Sequence, residues 1–294
     1  MPPVLLVDTY SLFFRAYHAL PPMSTRSGRP TSALYGFSTA LLKELREQRP
    51  GALAFAVDAP FATFRHQAYP AYKAQRERVP DPLAAQFAPL RQLLAAFGVP
   101  VFEVRGFEAD DVLATLASEL RQQGEPTLVL SGDRDLLQLA HGSVTVAFLG
   151  ARGQPPRLYD EAAVATRFDV TAQQLPSWAA LVGDSSDNLP GTPGVGPRTA
   201  AKWVRSHGNV DQILAHLSEL EPARLRVAVA AHAEQIRQNE RLSTLRSDVP
   251  LGPLPHVGPL QAHAIEAVRE VFRELEFKSL EARLDALAQA TVSP

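Results

Sequence analysis

Residues 106–115 read GFEADDVLAT, placing Glu108, Asp110 and Asp111, three carboxylates in four positions, directly before an apolar helical run. Like charges this close repel, and without a compensating cation at least one is driven to keep its proton at neutral pH. Taken alone the stretch reads as a helix start, since acidic side chains face the positive end of the helix dipole and cap free N–H groups. The rest of the chain adds to it. Asp8, Asp58 and Asp133 each end a short apolar run, Asp135 lies two residues past Asp133, and Asp184 and Asp187 form an i, i+3 pair in a turn-rich stretch. One Asp at a strand end is ordinary turn chemistry. Three delivered to one sheet edge beside a triple-acid helix start are harder to explain that way, because so many carboxylates in one pocket destabilise each other unless divalent cations neutralise them. All-oxygen donors select hard cations, Mg²⁺ or Mn²⁺. More carboxylates than one octahedral ion needs imply two or more ions, about 3.5–4 Å apart in the usual phosphodiester-cleaving arrangement. Phosphoryl chemistry is the expectation.

Other chemistries fit poorly. The chain has no Cys, which excludes disulfides, thiolate nucleophiles and Cys-ligated zinc or iron–sulfur sites. The stretch VDTYS lacks the second Asp, two residues on, that an aspartyl-phosphate phosphatase needs; Tyr10 stands there. No Walker A loop is present, and GTPGVG follows no strand, so no organic cofactor is expected. His18, His66, His141 and His207 are scattered without metal-ligand spacing. No apolar run is long enough to span a bilayer, and a cytosolic protein without a membrane partner is expected. Net charge is −2, yet the distribution is uneven. Residues 103–135 carry eight acids against three bases, and residues 65–91 five bases against two acids, the segregation that a cation-dependent enzyme acting on a polyanion requires.

These groups must be positioned by a scaffold. PVLLVD (3–8), GALAFAVD (51–58), PTLVLSGD (126–133) and SVTVAF (143–148) read as buried strands. Helical spacing covers Thr31 to Glu47, Pro82 to Phe97 and Ala109 to Gln122. The alternation predicts an α/β fold with a parallel sheet and helices on both faces, ligands gathering at the carboxyl ends of the strands. After about residue 170 the pattern is helical: Thr171 to Val182, Arg198 to His207, Val210 to Leu220, Pro222 to Thr244 and Pro259 to Leu275. The expected division is a core over 1–174 and a helical subdomain over 175–294.

At this point the motifs resemble a known family. VD near the N-terminus, FR…YKAQR, GFEADDVLA, SGDRDLLQL and LVGDSSDNLPGTPGVGPRTA together look like the 5′→3′ exonuclease domain of bacterial DNA polymerase I and the free-standing flap endonucleases, over about Val4 to Leu280. The resemblance implies a resolvase-like or PIN-like nuclease core, a helical subdomain with a helix–hairpin–helix element, and a monomer that cuts DNA at 5′ flaps, nicks and free 5′ ends using Mg²⁺ or Mn²⁺. It assigns Asp8, Asp58, Glu108, Asp110 and Asp111 to the first ion and Asp133, Asp135, Asp184 and Asp187 to further ions. It also places YKAQR at the start of a helical arch near 65–97. There Lys73 and Arg76 would share one helical face and reach the scissile phosphate, while Tyr72 would stack on an unpaired base. Arg15 and, less directly, Arg65 match basic positions near the substrate. In PGTPGVGPRTAAKWV, Gly194 and Gly196 would let the backbone approach phosphates, Arg198 and Lys202 would hold duplex backbone, and a potassium ion often sits in this hairpin.

Two positions depart from the family: Thr9 follows Asp8 where Gly is usual, and Arg198 stands where Lys is common. A start at Met1 and a tail in QATVSP suggest a free-standing enzyme. The competing readings are a branched-DNA binding module without catalysis and a ribonuclease of the related metal-dependent superfamily.

Overall fold

Strands Val4–Asp8 (β1), Ala52–Ala56 (β2), Val101–Phe102 (β3), Thr127–Ser131 (β4) and Val144–Phe148 (β5) run parallel, and Arg157–Tyr159 (β6) pairs antiparallel with β5, in the order β3-β2-β1-β4-β5-β6. The helices are Thr9–Ala19 (α1), Ser32–Gln48 (α2), Phe64–Ala68 (α3), Asp81–Ala84 (α4), Phe87–Ala96 (α5), Ala109–Gln122 (α6), Glu161–Phe168 (α7), Leu175–Val182 (α8), Pro197–His207 (α9), Val210–Ala215 (α10), Arg226–Ala231 (α11), Ala233–Ser243 (α12), Ala262–Glu274 (α13) and Lys278–Val292 (α14). This computed structural model describes residues 1–150, 154–252 and 262–292. The first residues of the helix expected from Pro259 therefore lie outside the described residues.

Both faces of the sheet are covered, which is why its strands are almost wholly apolar rather than alternating. Leu5, Val7, Leu53, Phe55, Leu128 and Leu130 face one side, packed with α1, α2, α5, α13 and α14. Val4, Leu6, Ala52, Ala54, Ala56 and Val129 face the other, where they meet Ala109, Leu113 and Ala117 of α6. Each fully buried Leu, Val or Phe contributes roughly 1.5–3 kcal/mol. Alanines on both sides let α6 lie close to β1 and β2, and its acidic N-terminus arrives at their carboxyl ends. In register, Asp8 is level with Ala56, and Val7 with Leu130. Asp58 and Asp133, each two residues beyond its strand, therefore leave the same edge as Asp8.

The structure departs from the sequence expectation in several places. The YKAQR stretch does not begin a helix. Helix α3 ends at Ala68, residues 70–75 are turn, and Lys73 adopts a left-handed φ of 55° that no helix continues through. Helix α5 buries Leu90, Leu93 and Leu94 against the core and α13. The helix expected over Pro82 to Phe97 is split because Gln86 turns inward, its Oε1 accepting from the N–H groups of Ala33 (3.0 Å) and Leu34 (3.2 Å) and so capping α2. Helix α1 was hidden because Asp8 both ends β1 and caps α1, accepting from Ser11 N–H at 3.2 Å, with no loop between them. The C-terminal end of the supposed helical subdomain is also different. Helices α13 and α14 return to the core and pack on α5 and α2.

Candidate metal centre and DNA-binding hairpin

Eight carboxylates converge at the carboxyl edge of the sheet. Asp8 feels the charges of Asp133 and Asp58; Asp110 those of Asp133, Asp8 and Asp58; Asp58 that of Glu108; and Asp135 those of Asp133, Asp187 and Asp184. Backbone and hydroxyl donors fix several of them. Ser131 Oγ donates to Asp8 Oδ2 at 2.5 Å and accepts from Asp133 N–H at 2.8 Å, bridging β1 to the loop after β4. Ala109 N–H donates to Asp58 Oδ1 at 2.8 Å, tying β2 to the start of α6. Asp135 N–H donates to Asp133 Oδ1 at 2.9 Å. Nothing in the sequence singled out Ser131; the available signal was a small hydroxyl residue ending an apolar strand two positions before an Asp.

Cations are too few on the inner side of this group. Burial, joined by Asp133 and Asp58, pushes the Asp8 carboxyl up to about 7 although Ser131 opposes it. Burial and neighbouring carboxylates likewise hold Asp110 and Asp135 well above the ordinary range, and Asp58 is raised as well. On the outer side the balance reverses. Burial works against Glu108 and Lys73 as ions, but their mutual attraction, joined by Arg65 and Tyr72 at Glu108 and by Asp187 at Lys73, outweighs it, so the carboxyl is lowered and the ammonium raised. Asp184 is lowered too, since hydrogen bonds from Ser186 and the charge of Arg134, 2.5 Å away, exceed the cost of burial.

The basic residues of the YKAQR stretch face these acids from a turn. Lys73 Nζ lies 3.1 Å from both oxygens of Glu108 and 3.9 Å from Asp187, and Arg76 Nη2 lies 3.0 Å from Asp187 Oδ1. Their shared helical face is thus replaced by a turn clamped onto the 184–189 hairpin, with Lys73 N–H donating to Asp187 O and Asn188 Nδ2 to Ala71 O. Tyr72 does not stand ready to stack on a base. It is buried, and its hydroxyl donates to Asp187 Oδ2 at 2.8 Å and Glu108 Oε2 at 3.1 Å.

Asp111 and Arg65 are also corrected. Both are withdrawn from solvent, 0% and 1% exposed, and form a two-pronged pair, Nη1 to Oδ2 at 2.6 Å and Nη2 to Oδ1 at 2.8 Å; of the edge carboxylates Arg65 reaches Glu108, at 3.4 Å. Asp111 further accepts from the N–H groups of Glu108 and Arg246, and Arg65 Nε donates to Leu242 O at 2.7 Å. The pair locks α3 and α6 to the segment leaving α12. As i+1 of Asp110 on a helix, Asp111 points about 100° away, and here that direction is toward Arg65. Arg15 remains half-buried near Gly132, in a cleft with Tyr35 and Lys43 between α1 and α2.

Helices α8 and α9 flank the hairpin 183–196. Its tight crossing depends on Gly183 and Gly191: a Cβ on Gly191 would lie 2.1 Å from Val182 O, and Gly183 has φ +84°. Gly194 has φ +79°, and nothing lies within 4 Å of where a Gly196 Cβ would be, so the backbone there is open to a ligand. Arg198 and Lys202 project from α9 into solvent, i and i+4, and among the described residues neither has an acidic partner; Arg205 is paired with Asp169. The Thr192 hydroxyl of the hairpin is buried without a partner among the described residues, as is that of Thr9.

The donor set fits hard cations. Its members are oxygen ligands with surplus negative charge, and burial beside other carboxylates raises the proton affinity of Asp8, Asp58, Asp110 and Asp135, the state that divalent ions relieve. Among the described residues no three acidic or histidine side chains close around one point as they stand.

Comparison with known proteins agrees with this architecture. The family model for the 5′-3′ exonuclease N-terminal resolvase-like domain matches residues 3–169, and that for the 5′-3′ exonuclease C-terminal SAM fold matches residues 170–266. The chain is 40% identical over 292 residues to DNA polymerase I of Mycobacterium tuberculosis, covering 98% of this chain and 32% of the relative. It is 34% identical over 287 residues to the 5′-3′ exonuclease of Aquifex aeolicus, covering 98% and 96%. The chain thus spans about a third of the length of the polymerase relatives it matches and nearly all of the exonuclease. Among solved structures, the fold resembles a bacteriophage T5 flap endonuclease complexed with DNA and metal ions (TM-score 0.65, 21% identity, 98% of both chains covered). It also resembles the catalytic core of Rad2 with DNA substrate (TM-score 0.64, 15% identity, 97% and 92% covered).

Proposed function

The chain belongs to the 5′-3′ exonuclease family, and from that premise we propose that it is a structure-specific 5′ nuclease that hydrolyses DNA phosphodiesters at 5′ flaps, nicks and free 5′ ends, with Mg²⁺ or Mn²⁺, in cytoplasmic DNA replication and repair. The observation that carries this reading is the connected group of carboxylates at one sheet edge, too many for the cations beside them. Asp8, Asp58, Glu108, Asp110, Asp133, Asp135, Asp184 and Asp187 would hold the ions, which supply a polarised phosphodiester and an activated water.

The chain's own residues account for the rest. Ser131 fixes the Asp8 carboxyl to the backbone of Asp133. Lys73 and Arg76 sit against Glu108 and Asp187, and when a phosphate and cations enter, these bases are placed to exchange carboxylate for phosphate and stabilise developing charge. The open hairpin around Gly194 and Gly196, with Arg198 and Lys202, grips duplex backbone irrespective of sequence. The unpartnered Thr192 hydroxyl is the polar group there that a potassium ion would engage. No described helix is long and apolar enough to cross a membrane.

The test compares cleavage of a 5′-flap DNA and a single-stranded RNA, with Mn²⁺ and with chelator. Metal-dependent cutting of the flap alone is expected; cutting of the RNA alone supports the ribonuclease reading, and binding without cutting supports a non-catalytic module. Asp133→Ala is expected to abolish cleavage while leaving duplex binding measurable by fluorescence anisotropy, and turnover retained in that variant would remove Asp133 from the metal site.

A further inference from the structure

With Tyr72 buried, the aromatic platform expected for an unpaired base is missing from the YKAQR turn. One aromatic ring among the large apolar side chains left exposed stands beside the carboxylate edge. Phe61 is 50% exposed and lies three residues after Asp58, in the loop that carries β2 into α3. The Arg105 guanidinium covers one face of its ring, 4.3 Å from the centroid, and Arg105 comes from the loop that leads into Glu108 and α6. The two loops are fastened together by Phe64 N–H donating to Gly106 O at 3.0 Å and by Ala109 N–H donating to Asp58 Oδ1 at 2.8 Å. Phe61 and Arg105 are therefore held to the same frame as the metal-site acids. Arg105 is exposed and, among the described residues, has no acidic partner within ion-pair distance.

Leaving a large ring half in water forgoes the burial that fixed the other phenylalanines of the chain. A solvent-facing aromatic joined to an unpaired guanidinium presents a π-face and a phosphate donor side by side, the combination that binds single-stranded nucleic acid without regard to sequence. We propose that Phe61 and Arg105 form a binding site for an unpaired nucleotide of the strand being cut, the base stacking on Phe61 and the adjoining phosphate meeting Arg105. This rests on the nuclease reading above. Three residues of chain reach at most about 11 Å, so the stacked nucleotide lies within a few nucleotides of the phosphate engaged by the carboxylates. The pair selects for an unpaired 5′ segment, a property that the duplex-gripping hairpin cannot supply.

The experiment measures binding in chelator, where nothing is cut, of a 5′-flap duplex carrying the fluorescent base 2-aminopurine in the flap, and of the same duplex without a flap. Variants Phe61→Ala, Phe61→Trp and Arg105→Ala are compared with the wild type, and melting curves establish that each is folded. In Phe61→Ala, affinity for the flap substrate is expected to fall about tenfold, the energy of one base–aromatic stack, with 2-aminopurine quenching lost and affinity for the flapless duplex unchanged. Phe61→Trp is expected to restore both, and Arg105→Ala to lower the salt dependence of flap binding by about one counterion. If the wild type prefers the flap and Phe61→Ala prefers it equally, with quenching intact, the platform is overturned and the nuclease reading stands. If the wild type binds neither DNA, both fall.

Discussion

Replacing Asp111 by Ala separates a brace from a metal ligand, because the family motif and the structure assign this residue different work. The substitution removes the acceptor for both prongs of Arg65 and for the N–H groups of Glu108 and Arg246. Arg65, 1% exposed, then stays buried as an unpaired cation apart from the more distant Glu108 at 3.4 Å. Breaking a buried pair from one side costs about 3–5 kcal/mol, a large share of the roughly 5–15 kcal/mol that folded proteins possess. With a urea dependence of about 3 kcal/mol per molar for a chain of this size, the unfolding midpoint is expected to drop by about 1–1.7 M. Urea unfolding followed by circular dichroism, in chelator, reads the change. Calorimetric titration with Mn²⁺ at a temperature where the variant is folded is expected to give the wild-type number of bound ions. A variant that unfolds at the wild-type midpoint and binds fewer ions would refute the brace and return Asp111 to the metal site.

Metal-free stability is expected to fall as pH rises from about 4 to 7. Asp8 in the fold keeps its proton up to about 7 whereas the unfolded chain releases it near 3.8, so the folded state binds more protons across this window and loses stability as they leave. Asp8 alone sets a limit of about 4 kcal/mol, and raised Asp110, Asp135 and Asp58 act in the same direction. Lowered Glu108 and Asp184 oppose this only at the acid end, where the unfolded chain still holds part of their protons, and the opposition fades as pH rises past their ordinary values of 4.5 and 3.8. Melting temperatures in chelator from pH 5 to 8 test this, and a flat or rising curve contradicts it; saturating Mg²⁺ is expected to flatten the decline, cations taking the place of protons. Lys73→Met is expected to slow single-turnover cleavage by more than tenfold at saturating enzyme, since Lys73 is among the few ammonium or guanidinium groups aimed at the carboxylates. A change in affinity alone would make it a binding residue.

Much of the core was legible because its signals are local. Strands β1, β2, β4 and β5 are apolar runs with Asp at or just past three of their ends, and α6 begins and ends where its capping acids and periodicity say. That Asp8, Asp58 and Asp133 leave one edge follows from parallel pairing, which alternation of strands and helices already requires. What only the tertiary structure decided is where each charged side chain goes next. GFEADDVLAT offers three equivalent acids, and rotation along α6 sends Asp110 to the carboxylate edge and Asp111 into a buried pair with Arg65, a partner 46 residues away. YKAQR has a helical spacing, but hydrogen bonds from the 184–189 hairpin hold it as a turn and sink Tyr72, so the exposed ring near the site is Phe61 instead. Periodicity reports which face of an element is apolar; the destination of a charge depends on which distant partner can offset its desolvation, and that partner is chosen by the packing.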